Sequence, residues 1–425
     1  MTDLIESRIK AIKEGKLPEG YKRTKAGIMP VDWDGTIQAK KLFKKHTDKK
    51  HDGDLEILAA TQERGIVPRS QIGIDIQCSD EGVKGYKKVS KGDFVISLRS
   101  FQGGIEYSEY TGIISPAYTV LKPIKDISTG FYRNYFKTDT FIKRLNGAVY
   151  GIRDGKQIGY EDFGDMYVHC PPLAEQERIA EILIQCDRVI ELKEKKLDEL
   201  KQLKKEFLRK MFPAKGCDTP EIRFPGFTGA WEQRKLIDVC DYVDYRGKTP
   251  TKTDSGNFLV TARNIKDGYI DYETSQEYIS EDDYEETMHR GKPEIGDVLI
   301  TTEAPCGNVA QVNKENIALA QRIIKYRGHR NLIANTYLKY YLLSPEFQNI
   351  LNAKSSGGTV KGIKGSILHQ QIIKYPKYEE QVKIGQDLNA INNLITLHQR
   401  ELEETKKYKK TLARLLLTGI VRVKG

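Results

Sequence analysis

Two related stretches of sequence decide the architecture. Residues 171–212 read PPLAEQERIAEILIQCDRVIELKEKKLDELKQLKKEFLRKMF, and residues 376–417 read PKYEEQVKIGQDLNAINNLITLHQRELEETKKYKKTLARLLL. The second is a degenerate copy of the first at an offset of 205 residues (376 minus 171). Apolar residues recur in both at alternating steps of four and three, the heptad spacing of a coiled coil. We therefore predict two long helices, each roughly 58 Å in length, that pack on each other. The predicted seam comprises Ile179, Leu183, Ile190, Leu197, Phe207, Ile384, Leu388, Ile395, Leu402 and Leu412.

The segments before each long helix repeat more weakly. KGDFVIS at residues 91–97 matches IGDVLIT at residues 295–301, and in each a Gly-Asp turn precedes a run of strand-forming residues. Trp33 and Trp231 begin comparable segments upstream. The sequence thus predicts an α+β protein with an internal repeat. Its predicted parts are a β-rich domain with a short N-terminal helix at 1–173, a helix at 174–215, a second β-rich domain at 216–377, and a helix with a tail at 378–425.

Length and composition narrow the class of protein. A chain of 425 residues is too long for one small domain. No apolar run approaches the roughly 20 residues that span a bilayer, so we expect a cytoplasmic protein without a membrane segment. The six cysteines are scattered without metal-binding spacing. The net charge of +10 suits a polyanionic partner but does not by itself identify one.

The sequence offers little for catalysis. Gly247-Lys248-Thr249 resembles a phosphate-binding loop, but Tyr242 stands where the first glycine must be. Asp187, Glu191 and Lys193 could suggest a nuclease, yet they lie within one predicted helix and fit the mixed charge of a coiled-coil flank better. We predict no catalytic residues, no metal site and no cofactor of its own. A repeated scaffold without predicted catalytic residues favours a binding or assembly role.

The order of β-rich region, PPLAEQERI helix, β-rich region and EEQVKI helix, with a GDFVIS or GDVLIT strand in each region, resembles the DNA-specificity (S) subunit of type I restriction-modification systems. The resemblance covers nearly the whole chain, although PKYEEQVKI departs from the pattern of PPLAEQERI. It implies two target recognition domains that each read one half of a split sequence in double-stranded DNA. It also implies that the two helices pack antiparallel as a spacer between the half-sites.

The resemblance further implies partners: two methyltransferase (M) subunits and two restriction (R) subunits, which would carry S-adenosylmethionine, ATP and Mg²⁺. Two alternatives stay open, a coiled-coil scaffold protein that does not touch DNA and a diverged DNA methyltransferase or nuclease. Candidate DNA-binding residues are polar side chains in loops beside the strand motifs, because these types bind base edges. They are Arg64, Arg99, Gln102, Arg153 and Lys156 in the first domain, and Arg246, Lys248, Arg263, Asn264, Lys361 and Lys364 in the second.

Overall fold

The computed structural model describes residues 2–61, 64–72, 83–97, 105–148, 158–247, 250–357 and 361–423. The chain divides into two compact units. The first unit comprises Met1–Leu192 and Leu402–Gly425, and the second unit comprises Lys193–Glu401. The first unit is therefore assembled from both ends of the chain, whereas the second is continuous in sequence.

The elements before and including the first long helix are α1 (Thr2–Lys13), β1 (Tyr21–Thr24), β2 (Gly27–Pro30), β3 (Phe43–His46), β4 (Leu58–Thr61), β5 (Gly65–Pro68), β6 (Lys87–Val89), β7 (Phe94–Ile96), β8 (Glu106–Tyr107), β9 (Gly112–Ile114), β10 (Thr119–Pro123), α2 (Thr129–Tyr135), α3 (Asp139–Ala148), α4 (Tyr160–Gly164) and α5 (Leu173–Lys210). Short 3₁₀ turns lie at Ala39–Lys41 and Arg69–Ile72.

The remaining elements are β11 (Glu232–Lys235), α6 (Leu236–Val239), β12 (Cys240–Asp244), β13 (Lys252–Thr253), β14 (Asn257–Val260), β15 (Tyr278–Ile279), α7 (Glu281–Thr287), β16 (Val298–Thr302), β17 (Cys306–Gln311), β18 (Ala318–Leu319), β19 (Ile323–Gly328), α8 (Asn335–Leu343), α9 (Pro345–Lys354), α10 (Gly365–His369), β20 (Ile372–Tyr375) and α11 (Tyr378–Leu417).

Each unit is built around a four-stranded antiparallel sheet. The strand order is β3-β10-β7-β8 in the first unit and β12-β19-β16-β17 in the second. The second unit adds a sheet of order β13-β15-β14-β18, in which β14 and β18 are parallel. The repeated strands β7 and β16 occupy the same position in the two equivalent sheets. The α+β class and the repeat that the sequence predicts are thereby confirmed.

The Gly-Asp motif has the same physical role in both sheets. Gly92 and Gly296 have φ values of 97° and 95°, a left-handed conformation that favours glycine. Asp93 and Asp297 follow, and the carboxylate of each accepts a hydrogen bond from the backbone amide three residues earlier, at 2.8 and 2.9 Å. The motif thus closes a tight turn and starts β7 or β16.

The long helices contain 38 residues in α5 and 40 in α11. In the second unit, Lys193 is 2.8 Å from Glu401, and Lys204 donates to Asn392 at 3.1 Å. Partner numbers fall in α11 as they rise in α5, so the helices pack antiparallel. The ends of both helices also contribute side chains to the hydrophobic cores of the units. The core of the first unit includes Ile179, Leu183, Leu416 and Leu417, and the core of the second includes Leu208, Met211, Phe212, Ile384 and Leu388.

The N-terminal segment closes the first unit against the residues that follow α11. Arg8, in α1, donates to the carbonyl of Ile420 at 2.9 Å. The hydroxyl of Tyr21, in β1, donates to the carbonyl of Gly419 at 2.6 Å. These bonds join residues about 400 positions apart in sequence and hold the two chain ends in one body.

Candidate nucleic-acid interface

The first long helix begins with a buried ion pair. Glu175 accepts hydrogen bonds from Arg422 at 2.7 Å to each carboxylate oxygen and from the Trp33 indole at 2.9 Å. Arg422 also binds Asp32 at 2.8 and 2.9 Å. Burial alone would raise the pKa of Glu175, but the Arg422 and Trp33 hydrogen bonds more than offset it and hold the pKa below its ordinary value. The glutamate of the PPLAEQERI motif therefore fastens the start of α5 to the segment after α11.

The second copy repeats this ion pair with different partners. Glu380 accepts from Arg223 at 2.8 Å to each oxygen, and its side chain is 1% exposed. Trp231, the counterpart of Trp33, has a buried indole nitrogen without a hydrogen-bond partner among the described residues. The ion pair is thus kept in both units, while the indole hydrogen bond of the first unit has no counterpart among the described residues of the second.

The glutamine of the motif joins each long helix to its domain. Gln176 donates to the carbonyl of Pro171 at 2.8 Å and accepts from the Ser128 amide, just before α2, at 3.0 Å. Gln381 makes the same two kinds of bond, at 2.9 and 3.0 Å. The Glu-Gln pair therefore anchors the start of each long helix to its domain in both repeats.

The predicted seam positions lie on the inner faces of the long helices. Ile179, Leu183, Leu197, Ile384, Leu388, Ile395 and Leu402 are buried, and Ile190, Phe207 and Leu412 are half-buried. The three residues that could suggest a nuclease, Asp187, Glu191 and Lys193, lie along α5. Asp187 pairs with Lys409, Lys193 pairs with Glu401, and Glu191 is exposed. They do not form one site.

Five of the eleven predicted DNA-binding residues lie outside the described residues: Arg99, Gln102, Arg153, Lys156 and Lys248. Of the other six, Arg64, Arg246, Arg263, Lys361 and Lys364 are exposed and Asn264 is buried. Arg64 lies at the turn between β4 and β5, where its guanidinium donates to the Gln71 side chain at 2.9 Å.

One end of the sheet β12-β19-β16-β17 brings three of the predicted residues together. β12 and β16 both end there, and β19 begins there. The segment carrying Lys361 and Lys364 is joined to this end because the Ile363 amide donates to the Thr302 carbonyl at 2.9 Å. Arg246 follows β12 at the same end. We call these three cations and the sheet end that carries them the second-unit basic edge.

The geometry of Arg246 is fixed by its neighbours. Its Nε donates to Asp244 at 2.9 Å, and its backbone carbonyl accepts from Arg290 at 2.8 Å. Burial would raise the pKa of Asp244, but the hydrogen bonds from Arg246 offset it and hold the pKa below its ordinary value. An oriented, exposed guanidinium of this kind suits recognition of a base edge or a phosphate.

Asn264 does not face solvent, contrary to what a base-reading role requires. Its side chain is fully buried and makes four hydrogen bonds. Its oxygen accepts from the amide and hydroxyl of Thr261 at 2.9 and 2.7 Å, and its nitrogen donates to the carbonyls of Asp271 and Ser275, both at 2.9 Å. All four of its hydrogen-bonding positions are used. Asn264 therefore holds the loop that presents the exposed Arg263.

The first unit contains a lysine cluster that sequence reasoning missed. Burial lowers the pKa of Lys87, in β6, and the positive charges of Lys45 and Lys49 lower it further. The backbone of Lys88 donates to the carbonyl of Asp48 at 2.7 Å, which draws the two segments together. The paired lysines at 44–45, 49–50 and 87–88 were the available signal, but nothing in the sequence indicates that they meet.

The described residues contain neither a candidate metal site nor a candidate membrane-spanning helix. No group of three or more His, Cys, Asp or Glu side chains among them could hold a metal ion. No helix in the described ranges has the length and apolar character needed to cross a membrane.

A model of the type I restriction modification DNA specificity domain matches the chain twice, at residues 35–202 and 229–407. The chain belongs to this family of DNA specificity proteins. The two matched segments follow the internal repeat, since each contains one β-rich body and most of the long helix after it. The protein is therefore a DNA specificity subunit of a type I restriction-modification system, the non-catalytic subunit of a complex that acts on DNA.

Curated relatives of the specificity subunit span most of its length. It is 28% identical to the type I restriction enzyme MjaVIII specificity subunit of Methanocaldococcus jannaschii over 79% of this chain and 81% of the relative. It is 20% identical to the EcoKI specificity subunit of Escherichia coli strain K12 over 87% and 82% of the two chains.

Solved structures share the fold. A chain from a structure on complex assembly and conformational transition of the type I R-M system matches with a TM-score of 0.55 at 17% identity, covering 96% of this chain and 100% of the other. The S subunit from M. genitalium matches with a TM-score of 0.53 at 13% identity, covering 96% and 99%.

Proposed function

We propose that the specificity subunit reads a bipartite DNA target, with residues 1–173 and 216–377 as the two target recognition domains. Residues 174–215 and 378–425 contain the two long helices, which set the spacer between half-sites through their apolar seam. The observation that carries this proposal is the paired repeat: equivalent sheets precede α5 and α11, and the helices pack antiparallel. A duplicated reader on one scaffold suits a target with two halves.

The second half of the target would be read by the second-unit basic edge together with Arg263. Arg64 is the described candidate in the first unit, and Arg99, Gln102, Arg153, Lys156 and Lys248 remain candidates. The lysine cluster around Lys87 would contact phosphates, which position the protein without specifying sequence.

The partners of this subunit follow from the same proposal. Two M subunits would bind the two repeats, and two R subunits would complete the assembly in the cytoplasm. S-adenosylmethionine, ATP and Mg²⁺ would be held by these partners. The subunit itself would supply recognition and spacing only.

Methylation sequencing tests the proposal directly. DNA from cells that express the subunit with its cognate methyltransferase is compared with DNA from cells that express the methyltransferase alone. We expect a split motif with two defined halves only when both proteins are present. Identical methylation in the two strains, with the complex shown to assemble by pull-down, would contradict a specificity role.

Variants assign the half-sites. Replacing Arg246, Lys361 and Lys364 by alanine should relax or abolish one half of the motif and leave the other half unchanged. The matched control replaces three exposed lysines outside this sheet end, Lys195, Lys215 and Lys407, and so removes the same charge. Equal effects of the two triple variants would show that the basic edge contributes charge alone.

The spacer is tested by changing helix length. Four residues inserted into both α5 and α11 add about one turn, or about 6 Å. This should lengthen the methylated gap by one or two base pairs. An unchanged gap in a variant that still methylates DNA would refute the proposal that the helices set the spacing.

A further inference from the structure

The second unit contains a polar cleft that none of the DNA-reading residues line. Its volume is about 1030 Å³, and α5, α8 and α11 contribute to its walls. Five of its lining side chains are cationic and one is acidic. They are Lys201, Lys204, Lys205, Lys339 and Arg400, with Asp267 as the carboxylate.

Two of these lysines are buried in the wall of the cleft. Lys204 and Lys339 are 9% and 3% exposed. Lys204 donates to the side-chain oxygen of Asn392, and Lys339 to that of Asn389, both at 3.1 Å. Neither forms an ion pair with a carboxylate in the part of the chain that the structure describes. The Lys339 ammonium also lies over the Tyr340 ring, 4.2 Å from its centroid. A buried cation without a carboxylate partner is costly, because burial removes water that nothing of opposite charge replaces.

The Lys204 ammonium is also close enough to affect Lys339. Burial, together with the positive charge of Lys204, lowers the pKa of Lys339 to about 8. Their asparagine partners are three residues apart in α11, where side chains lie about 5–6 Å from one another. Each ammonium has three donor hydrogens, of which the bond to asparagine uses one. Donors therefore remain for a shared acceptor.

The internal repeat provides a comparison within the same chain. At the offset of 205, Lys204 and Asn392 correspond to Lys409 and Asp187 of the first unit. There the lysine pairs with the aspartate carboxylate. The equivalent bonds of Gln176 to the Ser128 amide and of Gln381 to the Ala334 amide align α2 with α8 at an offset of 206 (334 minus 128). Lys339 therefore corresponds to Arg133, which pairs with the Glu109 carboxylate. The first unit thus pairs both cations with carboxylates, whereas the second unit holds the equivalent lysines with asparagine side chains.

We propose that this cleft is an oxyanion site in which Lys204 and Lys339 bind a phosphate group, oriented by Asn389 and Asn392. The exposed Lys201, Lys205 and Arg400 at the same cleft add charge that favours a dianion over a single carboxylate. The phosphate is either free in solution or part of a nucleic-acid backbone. This site is separate from the base-reading residues and does not depend on them.

Isothermal titration of the full chain with inorganic phosphate tests the free-ion source. The decisive variant is Asn392→Asp, which introduces the carboxylate that the first unit already has. We expect one saturable site in the unaltered chain, at least tenfold weaker binding in Asn392→Asp, and similar weakening in Lys339→Asn. The matched control, Asp187→Asn, changes the equivalent position of the first unit and should keep phosphate affinity within twofold.

Duplex DNA tests the backbone source. If the phosphate belongs to DNA, Asn392→Asp should weaken duplex binding and lower the slope of log K against log salt concentration by about one. Circular dichroism and thermal unfolding of each variant show that the chain is folded. Loss in either titration supports the site and identifies its source. Unchanged binding of both ligands in folded Asn392→Asp would overturn it.

Discussion

Substituting each of the two tryptophans measures the energetic contribution of one buried hydrogen bond, because the second site serves as a control for the first. Trp33 is 0% exposed and donates to Glu175, whereas Trp231 is 3% exposed and its indole has no partner among the described residues. Substituting phenylalanine removes the indole nitrogen and a similar volume of buried side chain at both sites. The free-energy cost of lost packing is therefore similar at both sites. The difference in stability between the two variants then reports the difference in hydrogen bonding.

The expected magnitude follows from the contacts. Trp33→Phe loses a hydrogen bond to a charged acceptor, which contributes about 1.5–3 kcal/mol. The loss should fall near the lower end, because Arg422 still donates to both oxygens of Glu175. Trp231→Phe instead removes a buried donor that is unsatisfied, which recovers about 1–3 kcal/mol. Trp33→Phe should then destabilise its unit by about 2.5–4.5 kcal/mol more than Trp231→Phe destabilises the other.

After each substitution the remaining tryptophan lies in the unit that was not altered. Its fluorescence therefore does not report unfolding of the altered unit. Hydrogen exchange measured by mass spectrometry in rising urea instead gives the free energy of unfolding for peptides of each unit. Equal destabilisation of the two units would refute the assignment of the Trp33–Glu175 hydrogen bond as the difference between the two copies.

Three other substitutions test separate parts of the structure. Lys339 has a folded pKa near 8 against an ordinary value of 10.5, so the unfolded chain binds its proton more tightly between these pH values. In phosphate-free buffer the stability of the second unit should rise by about 3 kcal/mol from pH 8 to 10.5, and urea titrations of Lys339→Met should lose that rise. Asn264→Ala should cost about 2–4 kcal/mol by urea unfolding, whereas Arg263→Ala should change stability by under about 0.5 kcal/mol and weaken DNA binding in a gel-shift assay. Gln176→Ala leaves the Ser128 amide unpaired, and should speed its hydrogen exchange and cost about 1–3 kcal/mol in the first unit.

The long helices were predictable because their signal is local and repeated. A heptad pattern extends through the whole of α5 and recurs at a constant offset in α11, so the sequence specifies both the helices and their apolar faces. The turns before β7 and β16 were predictable for the same reason, since Gly92 and Gly296 are each followed by an aspartate that closes the turn.

The strand order and the chemistry of the loops were not predictable in this way. Pairing of β3 with β10 joins residues far apart in sequence, and no local pattern fixes such a partner. Asn264 was predicted to read bases because polar loop residues commonly do. Its side chain is instead buried and makes its hydrogen bonds to neighbouring loop residues inside the domain. Lys204 and Lys339 lie on different helices, and their proximity arises only from folding.

The closure of the first unit by residues 402–425 has a consequence for synthesis of the chain. The second unit, Lys193–Glu401, is a single uninterrupted segment and is complete once its last residue has left the ribosome. Translation of the first unit begins earlier, but the unit lacks Gly419, Ile420 and Arg422 until residues 419–422 have also been made. Order of synthesis and order of completion are thus reversed. A product that ended between residues 401 and 419 would contain the whole of the second unit but would lack the residues that close the first.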